Sequence, residues 1–251
     1  AIWAIEGFDF AETLTFSQAW FTSLSYTFQL YFDFSGYTDM AIGVALLFNI
    51  KIPINFNSPY KALSIQDFWR RWHMTLSRFM RDYIYIPLGG NKRGNSKAYM
   101  NVFLVALISG LWHGAGWTFV IWGAMHGIAL LIHKAWNDLG FKMNNILAWF
   151  ITFNFVNITW VFFRAKSWED AIKVLKGMFD YTNSFSIKSY EIIAILLAFV
   201  LILCFKNSNE SIENLRKARQ VNQYLFIYFT VLFSVSLLFL QNKSVFLYYD
   251  F

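Results

Sequence analysis

The stretch SGLWHGAGW at residues 109–117 places one histidine, His113, between two apolar runs at residues 100–111 and 118–132. Runs of that composition are typical of membrane-embedded helices, so we expect His113 at membrane depth. An ionisable side chain there is costly to bury and is a functional candidate by default. The three neighbouring glycines also let another backbone or a ligand approach closely. The alternative from residue type alone is a neutral histidine that caps a helix break and hydrogen-bonds a nearby carbonyl group.

The composition indicates a polytopic membrane protein. Of the 251 residues, 57% are hydrophobic, 21% are aromatic and only 14% are charged, which is far more apolar than an ordinary soluble domain. The single cysteine, Cys204, excludes an internal disulfide, and no Cys/His spacing suits zinc, so no metal site is expected. The net charge is +6, but the cations lie beside apolar runs, as in proteins oriented by membrane lipid, so no nucleic-acid partner is expected. The chain opens without methionine, and we expect a fragment.

The pattern of apolar runs predicts an all-α, almost wholly helical chain with about six or seven segments at membrane depth. Beyond the runs around His113, we assign further segments to residues 16–30, 40–50, 145–163, 191–205 and 224–240. Residues 16–50 are too long for one unbroken span, which predicts a kink or a break at Ser35 and Gly36.

Two carboxylates, Asp33 and Asp39, interrupt this first long segment. Asp33 and Tyr37 are four residues apart and would share a helix face, so a hydrogen bond from the tyrosine could satisfy Asp33 without any chemistry. A supporting role in a reaction is the alternative for either aspartate.

Residues 64–83 predict one amphipathic helix at the membrane surface. Ser64 with Asp67 three residues later is a capping-box start. The predicted apolar face carries Ile65, Phe68, Trp69, Trp72, Leu76, Phe79 and Tyr83. The opposite face carries Arg70, Arg71, Arg78 and Arg81, which suit anionic headgroups or an anionic ligand on the cytoplasmic side. His73 lies at the boundary between the faces, where a polar contact at headgroup level is the simpler explanation.

Two later segments complete the pattern. Gly123, His126 and Gly127 form a small-residue pattern that permits close helix packing, and His126 could simply hydrogen-bond across helices. Residues 167–179 predict a second surface helix, whose apolar face carries Trp168, Ile172, Leu175 and Phe179.

Four motifs together resemble the membrane-bound O-acyltransferase family. They are YFDFSGYTDMAIG at residues 31–43, DFWRRWH at 67–73, RDYIYIPLGGN at 81–91 and LWHGA at 111–115. The pieces YIPLGGN at 85–91 and WVFFRA at 160–165 resemble the alginate and peptidoglycan O-acetyltransferase branch more than the teichoic acid D-alanyl-transfer branch. Members of the family are nearly twice as long, so the resemblance implies that residues 1–251 are one membrane domain, the C-terminal half of such an enzyme.

The resemblance implies transfer of an acyl group, most simply acetyl, across the inner (cytoplasmic) membrane of a bacterium, in which the chain is multi-pass. The acceptor would be hydroxyl groups of an extracytoplasmic polysaccharide, alginate-like or peptidoglycan, or an accessory acetyltransferase. His113 matches the catalytic histidine of the family, and His73 matches its second characteristic polar position. A neutral imidazole could take the proton from an acceptor hydroxyl, or could itself be acylated first.

The implied donor is acetyl-coenzyme A or another acyl thioester on the cytoplasmic side, with no bound cofactor. Arg70, Arg71 and Arg78 could attract its phosphate groups, and plain contact with lipid headgroups is the alternative for these arginines.

Two other classes of protein share part of the pattern. A proton-coupled transporter would also bury histidines and aspartates in glycine-broken helices, and a structural assembly subunit is a third possibility. A transporter would be expected to contain symmetric repeats, and the sequence has none. The four motifs favour the acyltransferase, with D-alanyl transfer to teichoic acids as the neighbouring alternative.

Overall fold

The computed structural model describes residues 2–92, 94–181, 188–218 and 223–239. Within these ranges the chain is α-helical and contains no β-strand, which confirms the predicted fold class. The eleven α-helices in these ranges are α1 Ile2–Ile5, α2 Phe16–Leu47, α3 Ile65–Arg71, α4 Met74–Met80, α5 Asn95–His113, α6 Trp117–Asp138, α7 Asn145–Arg164, α8 Trp168–Phe179, α9 Ser189–Cys204, α10 Ser208–Ala218 and α11 Gln223–Phe239. Two π-helical turns, Glu6–Phe10 and Arg81–Tyr85, and a 3-10 turn, Pro59–Lys61, lie between them.

Two helices, α6 and α7, are long and apolar enough to cross a membrane. Helix α9 and the start of α10, joined at a bend of 44°, would form a third span. The prediction of six or seven segments was therefore too high for the described residues. The runs at residues 16–30 and 40–50 merge into the single helix α2, and the described part of the last run lies in α11, whose apolar part Phe226–Leu238 is shorter than a membrane span.

Helix α2 continues through Ser35 and Gly36, so the predicted break is wrong. A capping box starts the helix, in which Thr15 Oγ1 accepts from the Gln18 amide at 3.4 Å and Gln18 Oε1 accepts from the Thr15 amide at 3.1 Å. The hydroxyl of Thr38 donates to the Ser35 carbonyl group at 2.9 Å, within the helix. One glycine costs a helix about 1 kcal/mol, which a 32-residue helix with a satisfied N-terminus tolerates.

The single helix predicted over residues 64–83 is wrong, because the chain breaks at His73. Ser64 caps α3 as predicted, its hydroxyl accepting from the Asp67 amide at 3.1 Å. His73 then adopts a left-handed conformation with φ 41°, and the Met74 amide donates to the Asn55 carbonyl group at 3.0 Å. Because Asn55 belongs to the preceding loop, it captures a donor that a continuous helix would have bonded internally.

The predicted apolar face of this region is only partly buried. Its first part packs into the protein, and its last two members, Phe79 and Tyr83, are 51% and 70% exposed. The buried members are Ile65, Phe68, Trp72 and Leu76. Arg70, Arg78 and Arg81 are exposed as predicted, and Arg71 is half-buried against Asp67 at 2.8 Å.

An aromatic core joins α2, α3 and α7. Phe68 and Trp72 stack at 5.6 Å, and Trp72 meets Trp160 at 5.0 Å. Two hydrogen bonds link these elements inside the core: the Tyr60 hydroxyl donates to the Thr27 carbonyl group at 2.7 Å, and the side-chain oxygen of the fully buried Asn157 accepts from Thr27 Oγ1 at 2.7 Å. These contacts hold the helices that carry the site in one arrangement.

Helix α8 packs on α2 through a different face from the predicted one. Ala171, Val174 and Met178 are buried, and the Trp20 indole donates to the Met178 carbonyl group at 3.0 Å. The predicted apolar residues Trp168, Ile172 and Phe179 are 44%, 42% and 58% exposed. Small residues allow α2 and α8 to approach closely, so the large apolar side chains are left on the outside.

Candidate active site

His113 is the last residue of α5, one short turn before α6 begins at Trp117. The two helices lie unusually close, since a Cβ atom on Gly123 would be only 2.7 Å from the Ala106 carbonyl oxygen. Gly110 of α5 faces Gly123 across the same contact. The predicted close packing through small residues is confirmed, and it places the His113 ring against the first two turns of α6.

The imidazole of His113 is held by aromatic rings and by no hydrogen bond from the described part of the chain. Its ring centre lies 4.8 Å from Trp112, 5.2 Å from Trp122 and 4.9 Å from Phe163. The last two contacts are edge-to-face, with interplanar angles of 88° and 74°. Neither ring nitrogen of His113 has a hydrogen-bond partner among the described residues, so the predicted alternative, a histidine satisfied by a neighbouring carbonyl group, is not observed there.

His73 lies at the break between α3 and α4, where its ring meets Phe34 edge-on at 4.9 Å. Its Nδ1 is 3.2 Å from Asn55 Oδ1. The same oxygen accepts from the amide of Thr75 at 3.2 Å and from its hydroxyl at 2.6 Å, which identifies this atom as the oxygen of the asparagine amide. Nδ1 of His73 must therefore carry the proton, and Nε2 is left with a free lone pair.

Burial lowers the pKa of His73 to about 4, because a charged imidazole loses its hydration there. His73 is therefore neutral at ordinary pH.

His126 is buried and uses both ring nitrogens across helices. The Trp69 indole of α3 donates to Nδ1 at 3.2 Å, and Nε2 lies 3.0 Å from Thr159 Oγ1 of α7. Thr159 itself donates to the Val156 carbonyl group at 2.8 Å, so Nε2 of His126 carries the proton and donates to the threonine. The prediction that His126 hydrogen-bonds across helices is confirmed. Because both of its ring nitrogens are hydrogen-bonded, His126 has no free lone pair.

Among the described hydrogen bonds, neither aspartate of α2, Asp33 or Asp39, is bonded to a histidine. Asp39 accepts a hydrogen bond from Ser208 of α10 at 2.5 Å. Helix α2 contacts His73 through Phe34 instead.

A cavity of about 570 Å³ opens between α3, α4, α5 and α6. Its rim is polar and includes Arg81, Tyr85, Asn91, Lys134 and Asp138. At the rim, Asp138 accepts from the Tyr99 hydroxyl at 2.9 Å and from Lys134 at 3.3 Å.

The inner part of the cavity is mostly apolar and ends at His126 and Trp122. Neither His113 nor His73 lines it. Trp122 links the two regions, because its ring lies 4.7 Å from His126 and 5.2 Å from His113.

The cavity draws on residues that sequence reasoning did not select. Arg70, Arg71 and Arg78, predicted to attract the donor, do not line it, whereas Arg81 and Lys134 do. Arg81 was predicted to lie on the basic face of residues 64–83, but not to bind the donor. Nothing in the sequence distinguishes Lys134 or Trp122, because a lysine at a helix end and a tryptophan in an apolar run are ordinary in membrane proteins.

Comparison with known proteins identifies the family. The sequence profile of the membrane-bound O-acyltransferase family matches residues 5–167, which include His73, His113 and His126. The chain belongs to that family.

The chain is 49% identical to a peptidoglycan O-acetyltransferase of Helicobacter pylori, over 98% of this chain and 51% of the relative. It is 46% identical to a probable alginate O-acetylase, AlgI, of Azotobacter vinelandii, over 76% of this chain and 40% of the relative. A teichoic acid D-alanyltransferase of Bacillus subtilis is 36% identical over 56% of this chain. The chain thus spans about half the length of the curated relatives it matches.

Proposed function

We propose that the full-length protein transfers an acetyl group from a thioester, such as acetyl-coenzyme A, to hydroxyl groups of an extracytoplasmic polysaccharide. The observation that supports it most is His113, whose two ring nitrogens accept or donate no hydrogen bond within the described residues, and whose ring contacts Trp122 at the inner end of a cavity of about 570 Å³. The identity to peptidoglycan and alginate O-acetylating relatives supports acetyl as the group and a polysaccharide, or an accessory acetyltransferase that serves it, as the acceptor.

The donor enters through the polar rim of the cavity, on the cytoplasmic side. Arg81 and Lys134 stand at this rim, and two exposed lysines lie near it in sequence, Lys92 next to Asn91 and Lys97 in the first turn of α5. Cations concentrated at one end of a helical bundle favour the cytoplasmic side of an inner membrane. Guanidinium and ammonium groups also suit the phosphates of a nucleotide thioester. Arg70, Arg71 and Arg78 add to the positive surface outside the cavity or contact headgroups.

The reaction uses the free nitrogen of His113. The nitrogen takes the proton of the acceptor hydroxyl while the hydroxyl oxygen attacks the thioester carbonyl carbon. The new C–O bond forms, the C–S bond breaks, and the departing thiolate takes the proton back from the imidazolium. In the alternative route, the nitrogen attacks the carbonyl carbon first, the thiol leaves, and the acceptor hydroxyl then displaces the histidine.

His73 contributes a second neutral imidazole with a defined tautomer. Asn55 and Thr75 fix its ring so that Nε2 presents a lone pair, which suits orientation of a hydroxyl group. His126 and Asp39 already have partners in the protein, and we assign them, together with Asp33, supporting, structural roles.

The experiment is acetyl transfer by membranes that carry the full-length protein. Labelled acetyl-coenzyme A is added on the cytoplasmic side, and label is followed in free acetate and in polysaccharide, with His113→Ala membranes as the control. Label should reach the polysaccharide only with the wild-type protein. Proton uptake without consumption of the thioester would indicate the transporter class, and transfer of D-alanine alone would indicate the teichoic acid branch.

A further inference from the structure

One side chain, Trp122, separates the donor cavity from His113. Trp122 is 1% exposed and lines the inner end of the cavity. Its ring also meets the His113 ring at 5.2 Å, with an interplanar angle of 88°. Of the three described rings that contact His113, Trp122 is the one that also lines the cavity, so a thioester carbonyl group that approaches the imidazole from the cavity should pass beside this indole.

The space behind Trp122 is filled by other rings. Trp160 stacks on Trp122 at 5.9 Å and 19°, and Phe163 meets it at 5.2 Å. Phe163 also covers His113, at 4.9 Å. Both Trp160 and Phe163 are at most 2% exposed. A methyl group next to the carbonyl carbon needs little of this space, whereas a longer chain would have to displace buried rings.

We propose that Trp122 is the specificity-determining residue for acyl-chain length. Its indole closes the inner end of the cavity, so an acetyl group fits beside His113 and longer acyl groups are rejected. This inference rests on the proposed acyl transfer. The bonds that form and break are the same for every straight-chain thioester, so discrimination between chain lengths is steric. Each methylene group that a pocket admits or rejects changes the specificity ratio on the order of tenfold or more.

Trp160 provides a matched control for the alternative that Trp122 only fills the core. The two tryptophans stack on each other and are equally buried, at 1% exposure. Trp160 does not line the cavity. Truncation of either side chain removes the same volume from the core, but only truncation of Trp122 enlarges the cavity.

The test compares acetyl-, butyryl- and hexanoyl-coenzyme A in competition, with full-length protein in membranes. Truncation of a buried tryptophan opens space on the order of 150 Å³, enough for a benzene-sized group. In Trp122→Ala the ratio of butyryl to acetyl transfer should rise at least tenfold over wild type, and in Trp160→Ala it should stay within about twofold. Trp122→Phe, which keeps an aromatic ring and is the milder change, should raise the ratio by a smaller factor.

The possible outcomes distinguish failure of the specificity role of Trp122 from failure of the proposed acyl transfer. If wild type transfers acetyl and neither Trp122 variant changes the ratio, the specificity role is wrong and the proposed function stands. An equal rise in the Trp122 and Trp160 variants would also overturn the specificity role, since it would reflect a loosened core. If Trp122→Ala does not accumulate, Trp122→Phe decides alone. A wild-type protein that transfers no acyl group would refute the proposed function, and this inference would fall with it.

Discussion

Replacement of His113 by alanine should abolish acyl transfer while leaving the protein folded in the membrane. The substitution breaks no hydrogen bond within the described residues, and it removes three aromatic contacts of the imidazole ring. Edge and offset contacts of this kind are worth about 0.5–1.5 kcal/mol each. Because His113 is only partly buried, we count about half of the sum for three contacts and expect the free energy of unfolding to fall by about 1–2 kcal/mol. The rate, by contrast, should fall about a hundredfold to ten-thousandfold if the ring is a general base, and further if it is a nucleophile.

The assay pairs acetyl transfer with the amount of inserted protein, for His113→Ala, His73→Ala and His126→Ala in the full-length chain. Transfer per inserted molecule should fall most in His113→Ala and less in His73→Ala. His126→Ala should keep the most activity per folded molecule. If His113→Ala retained more than about a tenth of wild-type transfer, the barrier would have risen by less than about 1.4 kcal/mol, too little for the base or nucleophile. The role would then pass to His73.

Three further predictions concern the surroundings of the site. His126→Ala should lower the free energy of unfolding by about 2–5 kcal/mol, because it leaves the Trp69 indole without its acceptor, at about 1–3 kcal/mol, and opens a cavity in the core, while Thr159 keeps its bond to the Val156 carbonyl group; a thermal shift in detergent no larger than that of His113→Ala would contradict the role of His126 as a link between helices. Asp9→Asn should cost about 1.5–3 kcal/mol, since Asp9 pairs with Arg164 at 2.7 Å, whereas the exposed Glu169→Gln should cost little. Burial would raise the pKa of Asp9, but Arg164 holds it below the usual range. The stabilisation by this ion pair is therefore present above the unfolded pKa of about 4 and is lost as the pH falls through the folded pKa. A difference in stability between wild type and Asp9→Asn that does not change with pH would be inconsistent with the ion pair. Lys134→Ala should raise KM for acetyl-coenzyme A about threefold to tenfold with little change in kcat, and the exposed Lys142→Ala, away from the cavity rim, should not.

Local features of the chain could be predicted from sequence because they depend on neighbours in sequence. Ser64 caps α3 as its capping pattern indicates, a helix forms within the predicted residues 167–179, and α7 ends one residue from the predicted boundary of 145–163. The contact between Gly110 and Gly123 follows from small residues in two adjacent apolar runs. His113 could be identified as a candidate functional residue because an imidazole between two apolar runs is rare.

The features that sequence reasoning missed depend on contacts between distant residues. The chain breaks at His73 because Asn55, 18 residues earlier, takes the Met74 amide and the His73 side chain. The partners of His126 come from 57 residues before and 33 residues after it. Trp122 acquires its position only when α5 and α6 pack together, so no local pattern distinguishes it from other tryptophans in the chain.

The most direct test of the account is a structure of the full-length protein with a non-hydrolysable analogue of acetyl-coenzyme A. The analogue should enter between Arg81 and Lys134, run past Trp69 and pass Trp122. Its carbonyl carbon should lie about 3–3.5 Å from a ring nitrogen of His113, the separation of a reacting pair. An analogue whose carbonyl group instead contacts His126 or His133, or that binds outside this cavity, would contradict the assignment of His113 as the residue that carries the chemistry.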